Sequence, residues 1–153
     1  MNREQRAREL FRSGYNCSQS VFGAYAESYG IDFDTALKLA SSFGGGMGRL
    51  REVCGAVSGM FLALGLIKGY STNDYQSKKE HYKKVQHLAQ EFEKLNGSIV
   101  CRELLGLDKK RDVPTPEKRT EEYYKKRPCE ELIADACRIL DKYLLEENNK
   151  VQS

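Results

Sequence analysis

Five cysteines, at positions 17, 54, 101, 129 and 137, are the residues of this chain best equipped for chemistry. As thiolates they can attack a disulfide, ligate a metal or hold an iron–sulfur cluster. No two of them form a CxxC pair, which removes a compact zinc ribbon, a thioredoxin-type motif and a CxxCH haem attachment. Read in a reducing compartment, an odd number also argues against a framework of structural disulfides.

Position along the chain sharpens this reading. Asn16, with Gln19 three residues on, has capping-box spacing and puts Cys17 at the first position of a helix. Cys54 stands at the mouth of an apolar helix expected over about 52–67, and Ser98 is expected to cap a short helix with Cys101 at its third position. Pro128 restarts the chain, so Cys129 falls in the opening turn of the last helix. Unpaired N–H groups and the helix dipole favour thiolate at all four places. Cys137 differs, lying mid-helix on the side of Ile133 and Leu140, and reads as a core thiol. Eight residues of helix separate it from Cys129. That is a rise of about 12 Å, too long for a disulfide, whose Cα atoms lie within about 7 Å.

The elements that must position these thiols are helices. Apolar residues recur at helical spacing and no strand-like alternation is long enough to compete. The expected fold is all-α, a compact multi-helix bundle around the helix at 52–67. There Ala56, Ser58, Gly59, Ala63 and Gly65 give slim sides and the remaining positions are bulky and apolar, the pattern of a central helix. Flanking it are helices expected at 2–12, at 32–42, over 73–95 behind Ser71 or Thr72, and from Thr115-Pro116 to Lys126. The 73–95 helix presents Val85, Leu88, Ala89, Phe92 and Leu95 inward. Leu132, Ile133, Ala136, Leu140 and Leu144 form the inner stripe of the last helix. One domain over 1–147 is expected, followed by a frayed tail at 148–153.

Before the central helix runs Phe43-Gly44-Gly45-Gly46-Met47-Gly48. Such glycines permit left-handed dihedrals and close backbone approach. Gly44, Gly45, Gly46 and Gly48, with Gly55, are therefore candidates to touch a cofactor, through backbone donors aimed at an anion or cluster, or to serve packing. Neither GxxxxGK[ST] nor a strand–GxGxxG–helix unit is present, so a nucleotide loop is not indicated. Arg49, Arg51 and Arg102 flank cysteines and either stabilise a thiolate or pair with surface acids. His81 falls at the inner edge of its helix and His87 on a solvated face.

A net charge of +3, with Lys-rich clusters at 78–84, 109–111 and 125–127 interleaved with acids, describes solvated helix faces rather than a nucleic-acid surface. The longest apolar run, Met60–Ile67, is far short of the roughly 20 residues that span a bilayer. MNREQRARELF carries charge where a secretion signal needs an apolar core, so the expectation is a cytoplasmic protein without membrane insertion.

Over about residues 7–142 the chain resembles the redox-active protein family named for a C…CGAxxG…C…C pattern. Cys17 in Gly14-Tyr15-Asn16-Cys17, the run Cys54-Gly55-Ala56-Val57-Ser58-Gly59, Cys101 in CRELLG, and Cys129 match its four cysteines; Cys137 is additional. The resemblance implies a shared cysteine site, and many family members are encoded beside transporter genes.

Two functions fit these thiols. In the first, a cytosolic thiol redox protein, Cys54 is the nucleophile, Cys17 or Cys101 resolves the mixed disulfide, and Cys129 completes the second pair. A separate thiol/disulfide redox partner supplies electrons, since no nicotinamide or flavin site is evident. In the alternative, Cys17, Cys54, Cys101 and Cys129 hold zinc or an iron–sulfur cluster in an accessory protein linked to a transporter. The slim faces of the central helix are also compatible with a homodimer.

Overall fold

The computed structural model describes residues 2–108 and 111–152. Lys109 and Lys110, within the expected lysine cluster and connector, lie outside the described residues, as do Met1 and Ser153.

Among the described residues eight helices build an all-α fold: α1 (Arg3–Arg12), α2 (Cys17–Ala26), α3 (Phe33–Ala40), α4 (Gly55–Lys68), α5 (Tyr75–Asn96), α6 (Cys101–Leu104), α7 (Glu121–Lys126) and α8 (Cys129–Gln152). Among the described residues there is no strand, only an isolated antiparallel bridge between Val53 and Val100. Helix α4 packs on α2, α8 and α5, and Gly55 through Met60, Ala63 and Leu64 are buried in it. It is the hub that its small-residue pattern predicts. A Cβ on Gly59 would stand 2.8 Å from the Ser18 carbonyl oxygen, which shows how closely α2 lies against it. Among the described residues no helix is long and apolar enough to cross a membrane.

The caps explain where the helices begin. Asn2 with Gln5, and Asn16 with Gln19, form complete capping boxes on α1 and α2. Five boundaries differ from expectation; the first is α4, which begins at Gly55 rather than near 52, with Cys54 as its N-cap residue. Helix α5 is capped by Asp74, whose carboxylate accepts the Ser77 N–H at 2.8 Å while Thr72 is engaged by Asp74 itself. A carboxylate there also gains from the helix dipole. Ser98 spends its hydroxyl on the Val100 N–H and on Glu103, so α6 starts only at Cys101. The segment after Pro116 is not helical; Thr120 caps α7 instead. The last helix continues to Gln152 rather than ending near Glu147. On α5 the inner stripe is Leu88 and Phe92, with Leu95 63% exposed at its end. Leu39 of α3 is likewise exposed, and Ala36 and Ala40 face the core.

Cys137 is fully buried in the core of α8. Beside it the Tyr25 hydroxyl donates to Asp141 at 2.7 Å and lies 3.1 Å from the Cys137 carbonyl oxygen.

Candidate functional site

Four helix starts meet at one place. Cys17 is the first residue of α2, Cys54 the N-cap residue of α4, Cys101 the first residue of α6 and Cys129 the first of α8. All four line a single cavity of about 380 Å³. Cys54, Cys101 and Cys129 are buried in its wall and Cys17 is half-buried. Cys137 is not part of the wall.

Backbone bonds fix these starts to one another. The Cys54 N–H donates to the Ile99 carbonyl at 2.7 Å, and the Cys101 N–H to the Glu52 carbonyl at 2.6 Å. The opening residues of α4 and α6 are thereby laced side by side. Ion pairs from Arg8 to Glu130 and Glu131, and from Arg12 to Glu130, hold the first turn of α8 against α1.

The glycine run forms the floor. Gly45, Gly46 and Gly48 have φ of 69°, 70° and 59°, and Met47 and Arg49 between and after them are also left-handed, at 69° and 68°. Five consecutive residues therefore trace a left-handed turn, which costs L-residues about 1–2 kcal/mol each and glycine almost nothing. The turn is closed by the Glu52 N–H donating to the Gly46 carbonyl at 2.9 Å. Close approach is its second use: a Cβ on Gly46 would lie 2.6 Å from Cys101 Cβ, and one on Gly55 3.1 Å from Cys17 Cβ. Gly44, Gly45, Gly46, Gly48 and Gly55 all reach the cavity wall.

The electrostatics separate the thiols. Helix-start position favours thiolate by roughly 0.3–1 kcal/mol, less than one pKa unit at about 1.4 kcal/mol each. Burial exceeds that at Cys54, whose thiol is pushed up to about 12 although the amides of Ala56 and Val57 pull the other way. Burial also raises Cys101, opposed by Arg51, whose Nη1 donates to the sulfur at 3.6 Å. Cys17 and Cys129 open α2 and α8 on the same cavity, and contact between their side chains acts on the proton affinity of both. That contact, then burial, holds Cys17 protonated well above the ordinary range. The same contact lowers Cys129; burial opposes it, and Arg127, Arg119 and the Tyr123 hydroxyl add to the lowering. Helix-start position therefore does not by itself set the proton affinity, which is lowered at Cys129 and raised by burial or contact at the other three.

Of the arginines beside cysteines, Arg51 touches Cys101, where it opposes but does not outweigh burial, and pairs with Asp112 at 3.1 Å. Arg49 shares that carboxylate at 3.1 Å, and Arg102 pairs with Glu52 outside the cavity wall. His81 lies against Tyr70, and His87 lines a separate hollow with Tyr143; neither reaches the thiols. Sequence reasoning missed Arg119, Tyr123 and Arg127. Only the adjacency Arg127-Pro128-Cys129 offered a signal. Arg119 lies over the Phe11 ring at 4.2 Å and donates to the carbonyls of Phe11 and Tyr15, which brings α7 over the α1–α2 junction.

As placed, no three His, Cys, Asp or Glu side chains among the described residues form a group able to hold a metal ion. The arrangement is a cavity with four cysteines on its wall, of which Cys129 is the one whose proton affinity is lowered.

The chain is cysteine-rich and all-α, with four of its five thiols on one cavity. The model of the family described as "Putative redox-active protein (C_GCAxxG_C_C)" matches residues 15–143, and the chain belongs to that family. Neither the curated proteins nor the solved structures contain a match.

Proposed function

We propose that the protein carries out thiol–disulfide exchange, with Cys129 as the attacking thiolate and Cys17 as the resolving thiol. One observation carries the reading: two cysteines 112 positions apart in sequence line one cavity at the starts of α2 and α8, and the charges around Cys129 favour its thiolate. Attack on a disulfide gives a mixed disulfide at Cys129. Cys17 then attacks the Cys129 sulfur, closing a Cys17–Cys129 bond and releasing the second thiol. These roles differ from the sequence expectation, in which Cys54 attacks, because burial keeps Cys54 protonated near neutral pH. Cys54 and Cys101 line the same cavity and stay reduced in this exchange.

Titration of the reduced protein with bis(2-hydroxyethyl) disulfide tests this. Two thiols per chain should be lost, and peptide mapping should find Cys17 joined to Cys129. Cys17→Ser should stall at a mixed disulfide on Cys129. A bond formed elsewhere, or none, would sink the proposal. So would zinc or iron copurifying stoichiometrically and leaving on mutation of any of the four cysteines, the outcome that a metal- or cluster-binding role demands.

A further inference from the structure

The cavity carries more positive charge than its acids neutralise. Arg49, Arg51, Arg119 and Arg127 line it. Arg127 pairs with Glu117, and Arg49 and Arg51 share the single carboxylate of Asp112. Arg119 donates to the Phe11 and Tyr15 carbonyls and lies 3.5 Å from the Tyr124 hydroxyl, and among the described residues it has no carboxylate within ion-pair distance.

Arg51 is the sharper anomaly. It is 4% exposed, its Nη1 meets Cys101 and its Nη2 meets Asp112, yet its Nε–H has no acceptor. Buried donors are almost always satisfied. This nitrogen is itself enclosed, so what Arg51 offers an acceptor in the cavity is its charge, only half neutralised by the carboxylate it shares with Arg49.

Access narrows what brings that acceptor. Cys54, Cys101 and Cys129 are 5%, 6% and 8% exposed. A disulfide on the surface of a folded protein would have to push its backbone into the cavity to reach them. A small molecule enters whole, and about 380 Å³ lies within the range of small-ligand sites.

Resting on the exchange reading above, we infer that the substrate is a low-molecular-weight disulfide bearing a carboxylate or similar anionic group, oriented by Arg51 and Arg119. The Cys129 thiolate bonds to one substrate sulfur, the substrate S–S bond breaks, and the departing thiolate takes up a proton. Cys17 then loses its proton and bonds to Cys129, releasing the second substrate thiol. One disulfide is reduced by two electrons and one dithiol is oxidised, with nothing else consumed.

Three disulfides of similar size test the charge preference on the unmodified protein: anionic dithiodiglycolate, neutral bis(2-hydroxyethyl) disulfide and cationic cystamine. The rate of Cys17–Cys129 oxidation by each is divided by that disulfide's rate with free 2-mercaptoethanol. Normalised, the anion should exceed the neutral compound about tenfold at low salt, with cystamine below both. The advantage should shrink toward unity near 1 M salt, where screening is strong. Arg51→Gln, with folding verified by circular dichroism, should reduce the anion-to-neutral ratio severalfold. Equal normalised rates for anion and neutral compound would overturn the substrate inference while leaving the exchange intact. Failure of all three to oxidise the Cys17–Cys129 pair would overturn both.

Discussion

Replacing Gly46 by alanine asks whether the left-handed turn is there for its conformation or for what it lets approach. Gly46 and Gly48 share left-handed dihedrals, with φ of 70° and 59°. Alanine in either place meets a conformational cost of about 1–2 kcal/mol. Part of it, about 0.4–1 kcal/mol, is offset by the lower entropy of the unfolded chain. The surroundings differ. A Cβ on Gly48 meets only the Ser42 carbonyl oxygen, at 3.9 Å. One on Gly46 meets Cys101 Cβ at 2.6 Å and backbone atoms of Arg51 and Glu52 at 2.9 Å. Two of those three are backbone, tied by the bonds that lace α4 to α6, so the overlap adds an overpacking cost of about 1–3 kcal/mol. The expectation is a loss of roughly 0.5–1 kcal/mol for Gly48→Ala and about 2–4 kcal/mol for Gly46→Ala. At about 2–4 °C per kcal/mol for a chain of this size, melting should fall by about 1–4 °C and about 4–16 °C respectively. Urea denaturation gives the free energies and calorimetry the temperatures. Two variants within about 0.5 kcal/mol of each other would refute the steric argument and leave only the dihedral one.

Alkylation of Cys129 by iodoacetamide, followed by mass spectrometry of its peptide, should titrate below the ordinary thiol value of 9.0. The sign follows from the reactive species: thiolate reacts, and a lowered pKa supplies thiolate at lower pH. Tyr123→Phe removes a donor to that thiolate and should move the midpoint upward; an unchanged midpoint would show that the hydroxyl does not act on Cys129. Cys137→Ala should lower stability by about 1 kcal/mol in urea denaturation and leave formation of the Cys17–Cys129 bond unaltered, because this sulfur is enclosed in the core away from the cavity.

What the sequence made legible is what short-range chemistry decides. The Asn16–Gln19 box and the apolar face of α8 depend on neighbours within a few residues, and both lie where spacing put them. The grouping of Cys17, Cys54, Cys101 and Cys129 was legible because each stands at a helix start. Their different proton affinities were not, since these follow from burial and from side chains far away in the chain. Arg119, Tyr123 and Arg127 belong to a charged stretch that reads as solvated. Arg119 instead donates to carbonyls of α1 and the α1–α2 turn, holding residues 114–119 out of a helix and passing the capping role to Thr120.

The thiol pair joins the start of the second helix to the start of the eighth. During synthesis, Cys17 therefore leaves the ribosome long before the sulfur that completes it. Until α8 has been made and drawn against α1, the nascent chain holds Cys17, Cys54 and Cys101 without the lowered thiolate. Activity of the proposed kind arrives with the last part of the chain, and a fragment ending before Cys129 lacks the chemistry altogether.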